Sequence, residues 1–140
     1  MNVWLCLVKA RSWRIIKKIK MFGVPRNVHK IFTQVKLGDL FVFHVLKPIN
    51  GIVAIAKVTS QMFEDYQDIW GKNRYPLRVN IEILQQYLEN ENDYIPLSAL
   101  IGAKNSEIEI EPYLRNIWIA KITKKQYRNL QEYFTTHLDT

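Results

Sequence analysis

Leu40-Phe41-Val42-Phe43-His44-Val45-Leu46, then Pro48-Ile49-Asn50-Gly51, then Ile52-Val53-Ala54-Ile55-Ala56-Lys57-Val58, form the stretch on which the fold turns. The two outer segments are dense in β-branched and aromatic residues, which pack well on a pleated surface, so both predict strands. Asn-Gly between them supplies positive φ at little steric cost, the signature of a hairpin. A hairpin makes the central pairing antiparallel and excludes a simple alternation of parallel strands and helices.

Upstream, Leu37-Gly38-Asp39 predicts a turn and residues 28–34 a short helical turn. Met21-Phe22-Gly23-Val24-Pro25 reads as a loop. Its glycine has no side chain to hold off a flat ligand, and its proline stiffens the exit; the alternative reading of the same residues is a plain helix-to-strand turn. Residues 12–20 predict a basic helix capped by Ser12. Trp13, Ile16 and Ile19 recur at helical spacing and face inward, with Arg14, Lys17 and Lys18 outward. Residues 2–8 form the first strand.

Downstream, residues 59–75 are long and weakly patterned and contain Phe63, Tyr66 and Trp70; loops of that length in a compact domain are often functional. Residues 77–84 alternate. Leu77, Val79, Ile81 and Ile83 share one face while Arg78, Asn80 and Glu82 share the other, as in a half-buried strand. Residues 85–93 read as a polar turn, 96–101 as a short helix, and 107–111 as a strand or an extended edge. Residues 116–122 predict the last strand. Thr123 opens the final helix, with Gln126 completing a capping box and Tyr127, Leu130, Phe134 and Leu138 as its inward stripe. Five or six short strands with three peripheral helical pieces predict an α+β fold: a small mixed or antiparallel β-barrel with flanking helices, one domain over residues 1–140.

The chain has 140 residues, 48% apolar and 24% charged, which suits one globular domain. A single cysteine, Cys6, excludes an internal disulfide framework, and its place in an apolar strand predicts a buried thiol. The N-terminal apolar run is short and is followed by Lys9 and Arg11, unlike a signal peptide. The longest apolar stretch, residues 40–58, is broken by Lys47, Pro48, Asn50 and Gly51, so no membrane span is expected. These features predict a soluble, cytoplasmic protein. The formal net charge is +7, and residues 1–38 hold nine basic side chains and no acidic one. The remainder holds eleven basic and thirteen acidic groups, a net of −2. A one-sided basic field favours a polyanionic partner, nucleic acid above all.

Catalytic constellations are sparse. His29, His44 and His137 have no metal-ligand spacing, and there is no glycine-rich phosphate loop or nucleophile elbow. Glu64, Asp65 and Asp68 cluster near Tyr66. They read as a solvated loop, with a Mg²⁺-dependent nuclease as the enzymatic alternative. No enzyme activity and no cofactor are expected. The aromatic set of Trp4, Trp13, Phe22, Phe43, Tyr66, Trp70 and Trp118 is larger than a minimal core needs. Trp4 and Trp118 are assigned to the core. Trp70, in the long loop before Gly71, is the leading stacking residue.

In this order and spacing the features resemble the EVE domain, of the PUA-like superfamily that includes the YTH and ASCH domains. The resemblance covers nearly the whole chain. It rests on Trp4, Trp13 and Phe22-Gly23-Val24-Pro25, then Lys36-Leu37-Gly38-Asp39, residues 52–58 with Thr59-Ser60, and Phe63-Glu64-Asp65 leading to Trp70. Tyr75-Pro76-Leu77-Arg78-Val79 and Ile95-Pro96-Leu97 with Leu100 complete it. It implies a barrel with a pocket for a flipped-out, often modified, base. Carried onto this chain, that pocket comprises Arg11, Ser12, Trp13, Phe22, Gly23, Val24, Pro25, Phe43 and Trp70. YTH domains enclose a methylated adenine with aromatic side chains, one of them directly after a Gly-Val pair. Here Pro25 holds that position. Arg14, Lys17, Lys18, Arg26 and Lys30 are the expected phosphate contacts. The function expected is a nucleic-acid-binding module, for RNA or DNA with a modified or unpaired base. The alternative is a binding domain for a free base or nucleoside.

Overall fold

The computed structural model describes residues 1–46, 49–71, 74–86 and 118–137, with the side chains of 134–137 left aside. Seven strands and three α-helices lie among these residues. They are β1 (Val3–Val8), α1 (Ala10–Ile19), β2 (Met21–Val24), α2 (His29–Phe32), β3 (Leu40–Val45), β4 (Gly51–Val58), β5 (Phe63–Glu64), β6 (Leu77–Gln86), β7 (Ile119–Ile122) and α3 (Lys124–His137). A 3-10 turn, Arg26–Val28, leads into α2.

The sheet runs β2-β6-β4-β3-β1-β7, with the two-residue β5 also on β6. β1 pairs parallel with β3, Val3 opposite Leu40 through Val8 opposite Val45, and the other described pairings are antiparallel. Register shifts between Phe43 and His44 and between Ile55 and Ala56 mark bulges. Bulges add twist and bend a sheet on itself. The result is a curled half-barrel of six strands with helices at its margins, the mixed α+β architecture expected from sequence.

Both faces of β1 and β3 are buried, which is why their sequences read as unbroken apolar runs. Trp4, Cys6 and Val8 of β1 and Phe41, Phe43 and Val45 of β3 belong to an inner core with Trp13 and Ile16 of α1. Phe22 stands in its middle, with ring centroids 5.4 Å from Phe41, 5.5 Å from Phe43 and 6.1 Å from Phe32. The alternate residues Val3, Leu5, Leu7, Leu40 and Val42 form an outer core with Leu130 of α3, and Tyr127 packs against it. His44 is buried in β3.

Local signals held where they were local. Asn50 takes φ 55° at the hairpin. The Thr123 N–H donates to Gln126 Oε1 (2.8 Å) and the Gln126 N–H to Thr123 Oγ1 (3.1 Å), the reciprocal pair of a capping box. Four expectations are corrected. Met21–Val24 is a strand paired with β6, Met21 opposite Asn80 and Val24 opposite Leu77. The helix begins at Ala10, so Lys9 rather than Ser12 is the residue before its first turn. Ile19 is 39% exposed, because Lys20 (φ 57°) ends the helix there and turns the chain into β2. The polar turn expected at 85–93 is corrected in its first two residues, since Gln85 and Gln86 continue β6. Its remainder, the pieces expected at 96–101 and 107–111, Leu138 and the side chain of Phe134 lie outside the described residues.

Asp39 fastens the parallel pair β1–β3. Its carboxylate is 2% exposed and accepts from the Asn2 N–H (3.0 Å), the Trp4 Nε1–H (3.0 Å) and the Lys36 N–H (2.9 Å). It thereby ties the start of β1 to the turn before β3. Asp39→Ala removes one acceptor group from three donors at once. The expected cost is about 3 kcal/mol, read as a lowered denaturant midpoint. Cys6 is wholly buried in β1, and desolvation pushes its thiol well above the usual range. The folded protein is therefore expected to react with an aromatic disulfide reagent only after denaturant is added.

Candidate functional site: a cavity at the start of α1

A cavity of about 340 Å³ opens where β1 hands over to α1. Leu7, Val8 and Lys9 come from that junction, and Ser12 and Ile16 from the adjoining face of α1. β2 contributes Phe22 and Gly23, and Leu46 comes from the end of β3. The segment before β6 supplies Trp70, Arg74 and Tyr75, and the entry to β7 supplies Trp118. Aromatic rings run in a series along one side. Trp70 meets Tyr75 edge-on (6.1 Å, 88°), and Tyr75 meets Trp118 in the same manner (5.3 Å, 62°). Lys9 and Arg74 are exposed, so the cavity's cations stand in solvent.

Trp70 is held by a device built into the β2–β6 ladder. Gly23 lies opposite Arg78, and partners across an antiparallel pair present their side chains to the same face. Glycine leaves a gap there, and the indole fills it. A Cβ on Gly23 would lie 2.6 Å from Trp70 Cζ3, 3.0 Å from Cη2 and 3.1 Å from the Tyr75 carbonyl oxygen. The Arg78 guanidinium sits over the same indole, 5.1 Å from the ring centroid. Arg78 is 1% exposed. It donates from Nε to the Tyr75 carbonyl (2.9 Å) and from Nη2 to the Gln67 carbonyl, and it faces Asp65 Oδ2 at 3.4 Å. One side chain of β6 thus binds the loop at three points and covers one face of its tryptophan. The Trp70 Nε1 atom is itself buried with no hydrogen-bond partner among the described residues.

Of the residues expected at a pocket, Ser12, Phe22, Gly23 and Trp70 come together on this cavity. Trp13, Val24 and Phe43 do not line it. All three are 0% exposed, with the Trp13 and Phe43 rings 5.2 Å apart in the inner core. Arg11 is exposed on α1 and Pro25 half-buried past β2, and neither lines the cavity. The other eight lining residues were not expected there: the apolar Leu7, Val8, Ile16 and Leu46, and Lys9, Arg74, Tyr75 and Trp118. Trp118, expected in the core, is half-buried: it packs against the inner core and also lines the cavity. The flat group against Gly23 is the protein's own tryptophan, where the sequence had pointed to a ligand. Arg78 was placed on a solvent face by strand alternation; the loop folds over that face and buries it.

The basic side chains fall into two groups. Arg14, Lys18 and Lys30 are exposed and Lys17 is half-buried. Arg26 is engaged within the protein: it pairs with Glu64 (3.0 Å), hydrogen-bonds the Tyr66 hydroxyl, and stacks over the Tyr66 ring at 5.5 Å. The three loop carboxylates each have a structural partner. Glu64 takes Arg26, Asp65 takes Arg78 and the Gln67 N–H, and Asp68 accepts from the Gly71 N–H (2.9 Å). Among the described residues no helix is long and apolar enough to cross a membrane.

The family model for the EVE domain matches residues 2–133. The chain belongs to the EVE domain family. This EVE domain is 34% identical over 95 residues to the UPF0310 protein PH1033 of Pyrococcus horikoshii, a match covering 59% of this chain and 66% of that relative. The chain thus spans just under two thirds of that relative's length. Among solved structures it is similar to Rpa0253 of Rhodopseudomonas palustris, with a TM-score of 0.69, 14% identity, and coverage of 98% and 95% of the two chains. It is also similar to the YTH domain-containing protein mmi1 in a complex with RNA, with a TM-score of 0.59, 11% identity, and coverage of 96% and 81%. At those identities the likeness is one of fold.

Proposed function

We propose that this EVE domain is a nucleic-acid-binding module that holds one extruded, modified or unpaired base in the cavity at the start of α1. The observation that carries the reading is the series Trp70, Tyr75 and Trp118 beside an opening of about 340 Å³, with Lys9 and Arg74 in solvent at the same opening. A cavity near the lower end of the usual 300–1,000 Å³ for ligand pockets suits a single heteroaromatic ring system. Stacking on an aromatic side chain contributes about 1–3 kcal/mol per base. Ser12 and the backbone at Gly23 read the polar edge of the base. Arg14, Lys17, Lys18 and Lys30 hold phosphates and supply affinity that does not depend on sequence. Arg26, engaged with Glu64 and Tyr66, joins them where a phosphate displaces that carboxylate. Unstacking costs a few kcal/mol, so damaged, modified or single-stranded positions are favoured. No bond is made or broken. The fold shared with a YTH domain that takes RNA supports the reading by analogy.

The test is binding to matched oligonucleotides at fixed salt. The panel is DNA and RNA, single- and double-stranded, unmodified or with one methylcytosine, hydroxymethylcytosine or methyladenine. A preference of at least about tenfold for one of them, about 1.4 kcal/mol, is the expected result. Equal, salt-sensitive binding to all would reduce the protein to a general polyanion binder. Affinity for a free nucleoside equal to that for the oligonucleotide would move the function to a small heteroaromatic ligand.

A further inference from the structure

We infer that the cavity selects its occupant by charge: it takes a neutral or anionic heteroaromatic ring and rejects one that carries a fixed positive charge, such as a ring-nitrogen-methylated base. The inference rests on the base-binding reading above and narrows its ligand class. Two cations line the space, a third lies buried against its tryptophan, and no carboxylate lines it among the described residues. Lys9 and Arg74 stand at the cavity, and Arg78 lies over one face of the Trp70 ring, 5.1 Å from its centroid.

The position of Arg78 matters most. A ring's π face attracts cations, and a guanidinium already satisfies that attraction on one side. A second cation stacked on the remaining face would meet a polarised ring and, beyond it, a like charge at 1% exposure that solvent screens poorly. The counter-charge on Arg78 is Asp65, at 3.4 Å, whose side chain is 40% exposed and which does not line the cavity. An aromatic cage that selects cationic groups works by free π faces and neighbouring acids. Here a guanidinium already covers one face of Trp70, and no carboxylate lines the cavity among the described residues, although its three rings resemble such a cage at first sight.

The experiment compares two isomers in the same single-stranded oligonucleotide, N6-methyladenine, which is neutral, and N1-methyladenine, which is a cation at neutral pH. The cytosine counterparts, 5-methylcytosine and N3-methylcytosine, control for shape. Binding is measured at fixed salt with the full chain and with the double variant Lys9→Gln, Arg74→Gln. The expected result is at least about tenfold tighter binding of the neutral member of each pair, with a gap that narrows in the double variant. Both altered side chains are exposed, so folding is preserved. Equal affinity within each pair, a preference for the cation, or a gap untouched by neutralisation would overturn the inference while leaving base binding intact. Absence of any base preference across all four oligonucleotides would instead overturn the base-binding reading, and the inference with it.

Discussion

Gly23→Ala is expected to lower ligand affinity at least about tenfold while costing about 1–3 kcal/mol of stability. The new methyl would sit 2.6 Å from Trp70 Cζ3, inside contact distance, and 3.1 Å from the Tyr75 carbonyl oxygen. The backbone oxygen belongs to the segment leading into β6 and cannot recoil far. The indole cannot slide freely either, because Arg78 lies over it and Tyr75 abuts its edge. The ring must therefore move into the cavity or leave its seat. A double-mutant cycle separates this clash from a general backbone effect. Trp70→Ala removes the obstacle, so Gly23→Ala should cost markedly less stability in that background, a non-additivity expected only of groups in contact. Additive losses would show that Gly23 matters for some other reason.

Arg78→Met is expected to have the largest structural effect at the site, about 3 kcal/mol of stability. Methionine fills much of the same volume but leaves the Tyr75 and Gln67 carbonyls without their donor. Asp65 loses its ion-pair partner too, which adds less because that carboxylate is 40% exposed. With the cation gone from its face, Trp70 loses its support. Limited proteolysis should then cut within residues 65–76, and tryptophan emission should shift to the red. Arg78→Lys keeps the charge but cannot bridge two carbonyls in one plane, so an intermediate loss is expected. A variant Arg78→Met as protease-resistant as the parent would mean that the loop is held by other contacts.

The difference between these two residues and the rest of the fold explains what the sequence could convey. Hairpin and capping box are encoded within a few residues, and Asn50-Gly51 and Thr123 with Gln126 formed as their chemistry dictates. β1, β3 and β4 were legible because both of their faces are buried and their composition says so. Met21–Val24 was not, because four residues carry no strand periodicity and their partners Leu77 to Asn80 lie far along the chain. Arg78 was misplaced for a related reason. Alternation along β6 reports which face points away from the inner core, not that a loop returns to cover it. Trp118 and Tyr75 became cavity residues through the same long-range closure. Half of the cavity's aromatic wall was thus invisible in one dimension, while Trp70 stood out because a tryptophan in a long polar loop has no core to explain it.

The proposed function stands or falls on a base entering beside Trp70, Tyr75 and Trp118. The most direct test uses the four indole N–H resonances of the protein, followed by two-dimensional NMR during titration with a single-stranded oligonucleotide of the preferred base. Trp4 and Trp13 are sealed in the inner core at 1% and 0% exposure and serve as internal references. Trp70 and Trp118 line the cavity. Large shifts are expected for the latter pair, saturating together with binding, with little change in the former. Saturable binding that leaves the Trp70 and Trp118 resonances where they were, and perturbs only the basic face of α1, would contradict it.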